Sequence, residues 1–358
     1  MPSLLPALAV ALLAATPAAE APSAAPAPES LPASLEVEGR VSLSPTWDSN
    51  ATRTTVKEEV VADGASVLLG AVDLAWHPSS GQRLSLSVDE GAKLFATQSG
   101  QDQLASSATL THAWRASRSL APVTELRVKD KTLRDGDRDY TELSGSFGAD
   151  LGPFGGFSPG LHGGARYFLY KPDDRFSSRG PFAELSLRVQ PMRRHLLSAG
   201  WELSYRSFPA GAALDRAGAR QGARYDLVQV GQAGWSYRGK LILGAGYSYT
   251  RVASNGFGLS SVRHRVSALA GTKLPGQLLV NVQAAYQDVQ FTDGLFISPE
   301  ILLVDDDENL SSVQAKLTRP LGESFALEAR YQLYSSSFAS SEVQFFRQVA
   351  GIGLAFRF

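Results

Sequence analysis

The feature that most constrains this chain is a two-residue hydrophobic alternation. Reading back from the end, Phe358, Phe356, Leu354, Ile352 and Ala350 form one set. Arg357, Ala355, Gly353, Val349 and Arg347 form the other. Successive side chains of a strand point to opposite faces, so this segment has one greasy face and one small or charged face. The pattern recurs from residue 35 onward. Leu35, Val37, Gly39, Val41 and Leu43 oppose Glu36, Glu38, Arg40 and Ser42. Leu241, Leu243, Ala245, Tyr247 and Tyr249 oppose Gly244, Gly246, Ser248 and Thr250. Phe325, Leu327, Ala329, Tyr331 and Leu333 keep the same rhythm. A helix cannot hold a strict period of two on one face, so the chain reads as all-β.

The segments number sixteen, with fourteen or eighteen as the neighbouring even counts, and each is expected to run about 9–11 residues. Connections alternate in length. Short turns fall at residues 78–81, 190–194, 237–240, 273–276 and 319–323. Longer loops fall at 48–64, 129–139, 207–222 and 288–309. Trp76, Trp114, Trp235 and Phe358 close segments at the short-turn side. Tyr167, Tyr205, Tyr249 and Tyr286 lie where segments head into loops. Two aromatic belts with an apolar band between them suit a surface that faces lipid. The combination resembles the bacterial outer-membrane β-barrel proteins, porin-like in class, whose last strand typically ends on Phe. That resemblance covers residues 35–358. It implies a transmembrane up-and-down antiparallel barrel in the outer membrane of a Gram-negative envelope. It also implies a lipid-facing exterior and handling by the barrel-assembly machinery through the strand that ends at Phe358.

The first residues fit export. Residues 3–15 (SLLPALAVALLAA) are an apolar run too short to span a bilayer as a helix, followed by small residues at 16–19. Residues 1–19 therefore read as a signal peptide, although the segment before the apolar run carries no Lys or Arg. Residues 20–34 read as an Ala/Pro linker.

Composition narrows the function. The net charge of −1 gives no reason to expect a nucleic-acid partner. With no Cys, a disulfide framework, a Cys-ligated metal and a Cys-borne lipid anchor are excluded. No cofactor site and no catalytic set is expected. Gly156-Phe157-Ser158-Pro159-Gly160 fits the G-x-S-x-G pattern, but it reads as a Gly/Pro turn between strands and lacks the following helix a nucleophile elbow requires. Asp135, Asp137 and Asp139 alternate as in a calcium loop, yet Tyr140 and Ser146 stand where Gly and Glu are needed. The acidic run Asp305-Asp306-Asp307-Glu308 reads as a solvated loop, with divalent-ion binding left open. His264 shares the lipid-facing parity and lies near Ser260 and Ser261; an interfacial His needs no catalytic role.

The inward parity carries most of the information about function. It places Arg83, Arg115, Arg166, Arg188, Arg224, Arg263, Arg265 and Arg330 toward a lumen, along with Arg40, Lys93, Arg127, Lys316, Arg347 and Arg357. Facing them are Glu36, Glu38, Asp73, Asp89, Glu125, Glu142, Asp150, Glu184, Asp226 and Glu328. Cations outnumber anions, and cationic rings favour anions, although cross-strand pairing will neutralise many of them. The expected function is therefore a polar-lined, non-enzymatic channel for small solutes with a weak anion preference. An export barrel or a plugged surface scaffold or enzyme barrel is the alternative. A homo-oligomer is compatible with the sequence, which contains no feature that demands one.

Overall fold

The computed structural model describes residues 34–52, 54, 57–136, 138–292, 311–337 and 344–358. The expected leader, the expected linker up to residue 33, Asp137 of the acidic alternation, and the run 305–308 lie outside the described residues, while Ser34 opens the first strand. Sixteen antiparallel strands close into one barrel, each paired with its sequence neighbours, and β1 pairs with β16 to complete the circle. In order they are β1 Ser34–Asp48, β2 Asp63–Ser79, β3 Gln82–Phe95, β4 Gln103–Trp114, β5 Leu120–Leu133, β6 Tyr140–Leu151, β7 Phe157–Tyr170 and β8 Ser178–Met192. They continue with β9 His195–Leu214, β10 Arg220–Arg238, β11 Leu241–Ser254, β12 Ser261–Lys273, β13 Leu279–Phe291, β14 Ser311–Pro320, β15 Phe325–Ser337 and β16 Gln344–Arg357.

The alternation explains the closure. Leu35, Val37, Val41, Leu43 and Trp47 of β1 are all exposed, while Ser42, Ser44 and Asp48 between them are buried. The other strands follow suit: Leu185, Tyr286, Ile352 and Phe358 are more than half exposed. A band of exposed Leu, Val, Phe, Trp and Tyr encircles the molecule, far larger than the few hundred Å² of apolar patch a water-soluble monomer carries. Lipid is the solvent that makes such a surface favourable. A closed barrel is the one β architecture that leaves no unpaired backbone edge in hydrocarbon. Most of the expected belt residues are exposed: Trp76, Trp114 and Phe358 at the short-turn end, and Tyr167, Tyr205 and Tyr286 at the loop end, whereas Trp235 and Tyr249 are half-buried. Trp47 joins the loop-end belt.

The seam between β1 and β16 is held at both ends. At the short-turn end the Gly39 N–H donates to the Phe358 carbonyl at 3.0 Å, and the Phe358 N–H donates back at 3.1 Å. A Cβ on Gly39 would overlap the Phe358 ring, so the ring's place depends on that glycine. At the loop end the Arg347 Nε–H donates to Asp48 Oδ1 at 2.9 Å, and its Nη2–H donates to Oδ2 at 2.6 Å. Lys93 of β3 reaches the same carboxylate at 2.5 Å. Asp48 is fully buried by these partners.

Several expectations need correction. The strands run from 10 to 20 residues, longer than about 9–11 in most cases. The charged stretch 129–139 is not all loop: β5 continues to Leu133, with Lys131 and Leu133 buried in the interior. The Gly/Ala-rich stretch 207–222 is mostly hairpin, because β9 runs on to Leu214 and β10 begins at Arg220. Both extensions project past the lipid band, where backbone pairing continues but water removes the need for alternation. The contrast between short turns and long loops is correspondingly smaller. The 156–160 motif is also strand for the most part, since β7 begins at Phe157 and Ser158 pairs with Arg188.

Candidate functional site

The candidate site is the inner wall, built by every second residue of the strands. Of the eight arginines singled out from sequence, seven lie within strands, at positions that alternate with the exposed apolar residues. The exception is Arg115. It follows the last residue of β4 and lies exposed in the short-turn connection, where its N–H donates to the Gly81 carbonyl at 2.7 Å.

Three of the seven enter ion-pair clusters. Arg166 on β7 lies 3.4 Å from both Glu142 on β6 and Glu202 on β9, and its guanidinium sits 5.0 Å from the Phe182 ring centre. Arg224 on β10 pairs with Asp226 at 2.9 Å and stacks on Phe208 at 3.9 Å. These two groups lie toward the loop end, and Arg206 of β9 feels the charges of Asp226, Glu202 and Glu142. Arg330 belongs to the third cluster, centred on Glu328. That carboxylate is 2 % exposed and accepts from Arg40 Nη2 at 2.5 and 2.6 Å. It also meets Lys316 Nζ at 2.9 Å and Arg330 Nη2 at 3.0 Å. Strands β1, β14 and β15 supply the three cations.

The remaining four are not brought into these clusters. Arg263 and Arg265 share β12, opposite Thr250 and Ser248 of β11. Arg83 stands opposite Ala113, and Arg188 stands opposite Ser158 and Ser198. Across the lumen from Glu328, eight strands away around the barrel, His162 of β7 sits 3.4 Å from Asp150 of β6, with Glu184 of β8 directly opposite it in register.

Sequence reading missed some inward charges. Glu202 and Arg206 have the parity opposite to Leu197, Trp201 and Tyr205, which was signal enough to find them. Asp48 and Lys131 were assigned to loops. It also missed that the inner face is not uniformly polar. Val228, Val230 and Val252 form a buried inward cluster near the loop end, and Tyr140, Phe168 and Tyr170 form another. The Leu227-Val228-Gln229-Val230 run breaks alternation, because these valines pack on one another inside the barrel. A cavity of about 360 Å³ opens along the inner wall of β1–β5, lined by Arg40, Ser42, Ala71, Asp89, Ala105, Ser107 and Lys129 among others.

Outside the barrel, His264 contacts the Tyr247 hydroxyl at 2.8 Å and lies 5.4 Å from the Tyr249 ring. Ser260 bonds instead to the backbone of Ser254. Ser158 lies on a strand, which removes the elbow its motif would need. Among the described residues, no group of three or more metal-ligating side chains is gathered.

This geometry defines a class: a closed sixteen-stranded transmembrane barrel with an apolar exterior and a charge-lined interior. No protein-family model matches the sequence, and no curated protein matches it. Solved structures do match. The OmpF of Salmonella typhi, in complex with daunomycin, is 12 % identical with a TM-score of 0.52, over 90 % of this chain and 97 % of that one. The chain therefore has the porin barrel fold. An anion-selective porin from Comamonas acidovorans is 11 % identical with a TM-score of 0.46, over 91 % of this chain and 100 % of that one. OmpT of Vibrio cholerae, an outer membrane protein carrying a loop deletion, is 10 % identical with a TM-score of 0.41, over 91 % of this chain and 99 % of that one. At these lower scores the last two add nothing to the fold assignment.

Proposed function

We propose that the protein is an outer-membrane channel that passes small solutes through a polar lumen with a weak preference for anions. The observation that carries this reading is the inner wall itself: charged side chains from most strands face inward behind an exterior that only lipid can solvate. Lining a barrel with charge gains nothing for a lipid-facing surface and suits a water-filled passage. The preference is weak because much of the cationic charge is already matched. Arg166 and Arg224 have carboxylate partners, and three cations share Glu328. The surrounding outer-membrane lipid and the small solutes are its partners in this reading. The barrel-assembly machinery would engage β16, and an oligomer of identical barrels remains compatible.

Single-channel recording of the refolded protein in a planar bilayer, under a KCl gradient, tests this. Stable conductance steps with a reversal potential of the sign set by chloride are expected. A reversal potential of the sign set by potassium would overturn the anion preference. A folded barrel that conducts nothing would overturn the channel and favour an export or scaffold barrel.

A further inference from the structure

The cluster at Glu328 is unbalanced in a way the other lumen clusters are not. Arg40 stands directly opposite Arg357 across the β1–β16 pair, and Lys316 stands directly opposite Arg330 across the β14–β15 pair. Like charges placed opposite each other across strands repel. Both pairs occur here side by side on one patch of wall, with one carboxylate between them. Arg40, Lys316 and Arg330 contact Glu328 within 3.0 Å, so the contacting set carries two net positive charges, and Arg357 adds a third nearby. Hydrogen bonding is equally lopsided. Each guanidinium has five N–H donors and the ammonium three, whereas Glu328 offers two oxygens. The Nε–H groups of Arg40 and Arg330 find no acceptor among the described residues. The Arg166 Nε–H is likewise without an acceptor among the described residues, so the contrast lies in charge: Arg166 sits between two carboxylates and Arg224 has its own.

We propose that Arg40, Lys316 and Arg330, with Arg357 beside them, form a binding site for a small dianionic oxyanion on the lumen wall. The charge decides the class. A ligand with two negative charges neutralises the contacting set, while chloride would leave half of the excess in place. The donors decide the shape: planar guanidinium forks and an ammonium match several oxygens on one centre better than a single spherical ion. Access is from the lumen, because Arg40, Lys316 and Arg330 keep 32, 23 and 25 % of their side-chain surface open. Arg40 also borders the cavity along β1–β5. Glu328 then acts as the fixed counter-charge that holds the three cations together when the site is empty.

The inference rests on the channel reading for its physiological meaning, but its test does not. Inorganic phosphate is titrated into the refolded, heat-modifiable barrel in detergent at slightly alkaline pH and constant ionic strength, with binding followed by calorimetry and by ³¹P line width. Saturable binding is expected, and an equal concentration of chloride should not displace it. Arg330→Gln and Lys316→Gln should each weaken it by about tenfold or more, since each removes one unit charge at contact distance. Lys240→Gln, in the exposed β10–β11 turn, should leave it unchanged. Glu328→Gln should tighten it. If that variant fails to fold, the two cation variants decide. No saturable phosphate binding, or binding indifferent to both cation variants, overturns the site. Conductance without phosphate binding would reject the site and keep the channel. Phosphate binding without conductance would do the reverse.

Discussion

Replacing Asp48 with Asn tests whether the loop-end seam is closed by charge. Asp48 is fully buried, and Arg347 is 3 % exposed beside it, joined by two hydrogen bonds of 2.9 and 2.6 Å. Lys93 makes a third contact from β3. The substitution keeps the shape of the side chain and removes its charge, leaving the Arg347 guanidinium buried without this carboxylate. Breaking a buried pair from one side costs about 3–5 kcal/mol. Partial access of Lys93 to lumen water places the expected loss at the lower end, about 3 kcal/mol. The assay is urea unfolding of the barrel refolded into lipid vesicles, followed by tryptophan emission, with Arg347→Met and the double variant completing a cycle. The double variant should recover a good part of the loss, because replacing both partners of a buried pair by less polar groups is often near neutral. A loss below about 1 kcal/mol for Asp48→Asn would place the pair in the range of solvated surface bridges. The seam would then owe its closure to backbone pairing alone.

Two further outcomes follow from the same structure. Gly39→Val should displace the Phe358 ring and slow barrel formation, read as a delayed appearance of the heat-modifiable band on a gel; folding at the unaltered rate would show that the ring has room elsewhere. The hairpin tip at residues 215–219 should respond to acid. The Asp215 carboxylate accepts from the Ala219, Ala217 and Gln221 N–H groups. The bond from Ala219 leads in holding its pKa below the ordinary carboxylate value. A depressed folded-state pKa stabilises the tip above the unfolded value, near about 3.9, and that contribution fades as pH falls through the folded value. The protection of the Ala217 and Ala219 amides, taken relative to their intrinsic exchange rates at each pH, should therefore fall below that range, and Asp215→Asn should remove that change in protection.

Much of this architecture was legible because lipid imposes a rule that water does not. Within the bilayer the outward face is mostly apolar, so Leu35 through Leu43 and Phe325 through Leu333 announce both their strand and their facing. Where the strands leave the lipid the rule lapses. The continuation of β5 through Lys129, Asp130 and Lys131 looked like a loop, as did the Gly/Ala-rich ends of β9 and β10. The inner face is also freer than its parity suggests. Val228, Val230 and Val252 are tolerated there because they bury one another. Parity assigned all eight arginines to the inner wall, although Arg115 falls just past the end of β4, and it could not say which would converge. Arg40 and Arg330 are nearly three hundred positions apart, and only the circular pairing of β1 with β16, and of β16 with β15, brings them to one carboxylate.

The hydrogen bonds between Gly39 and Phe358 join positions nearly the whole described chain apart. All the other strand pairings are hairpins, formed between neighbours at modest loop-closure cost. This pairing alone must gather the two ends of a long ribbon. Until it forms, β1 and β16 each present an unpaired backbone edge, open to a second copy or to a chaperoning edge strand. Closure is therefore the step with the highest contact order and the longest exposure to misassembly. A chain lacking β16 would retain nearly every local contact of this fold and still be a sheet with two adhesive borders.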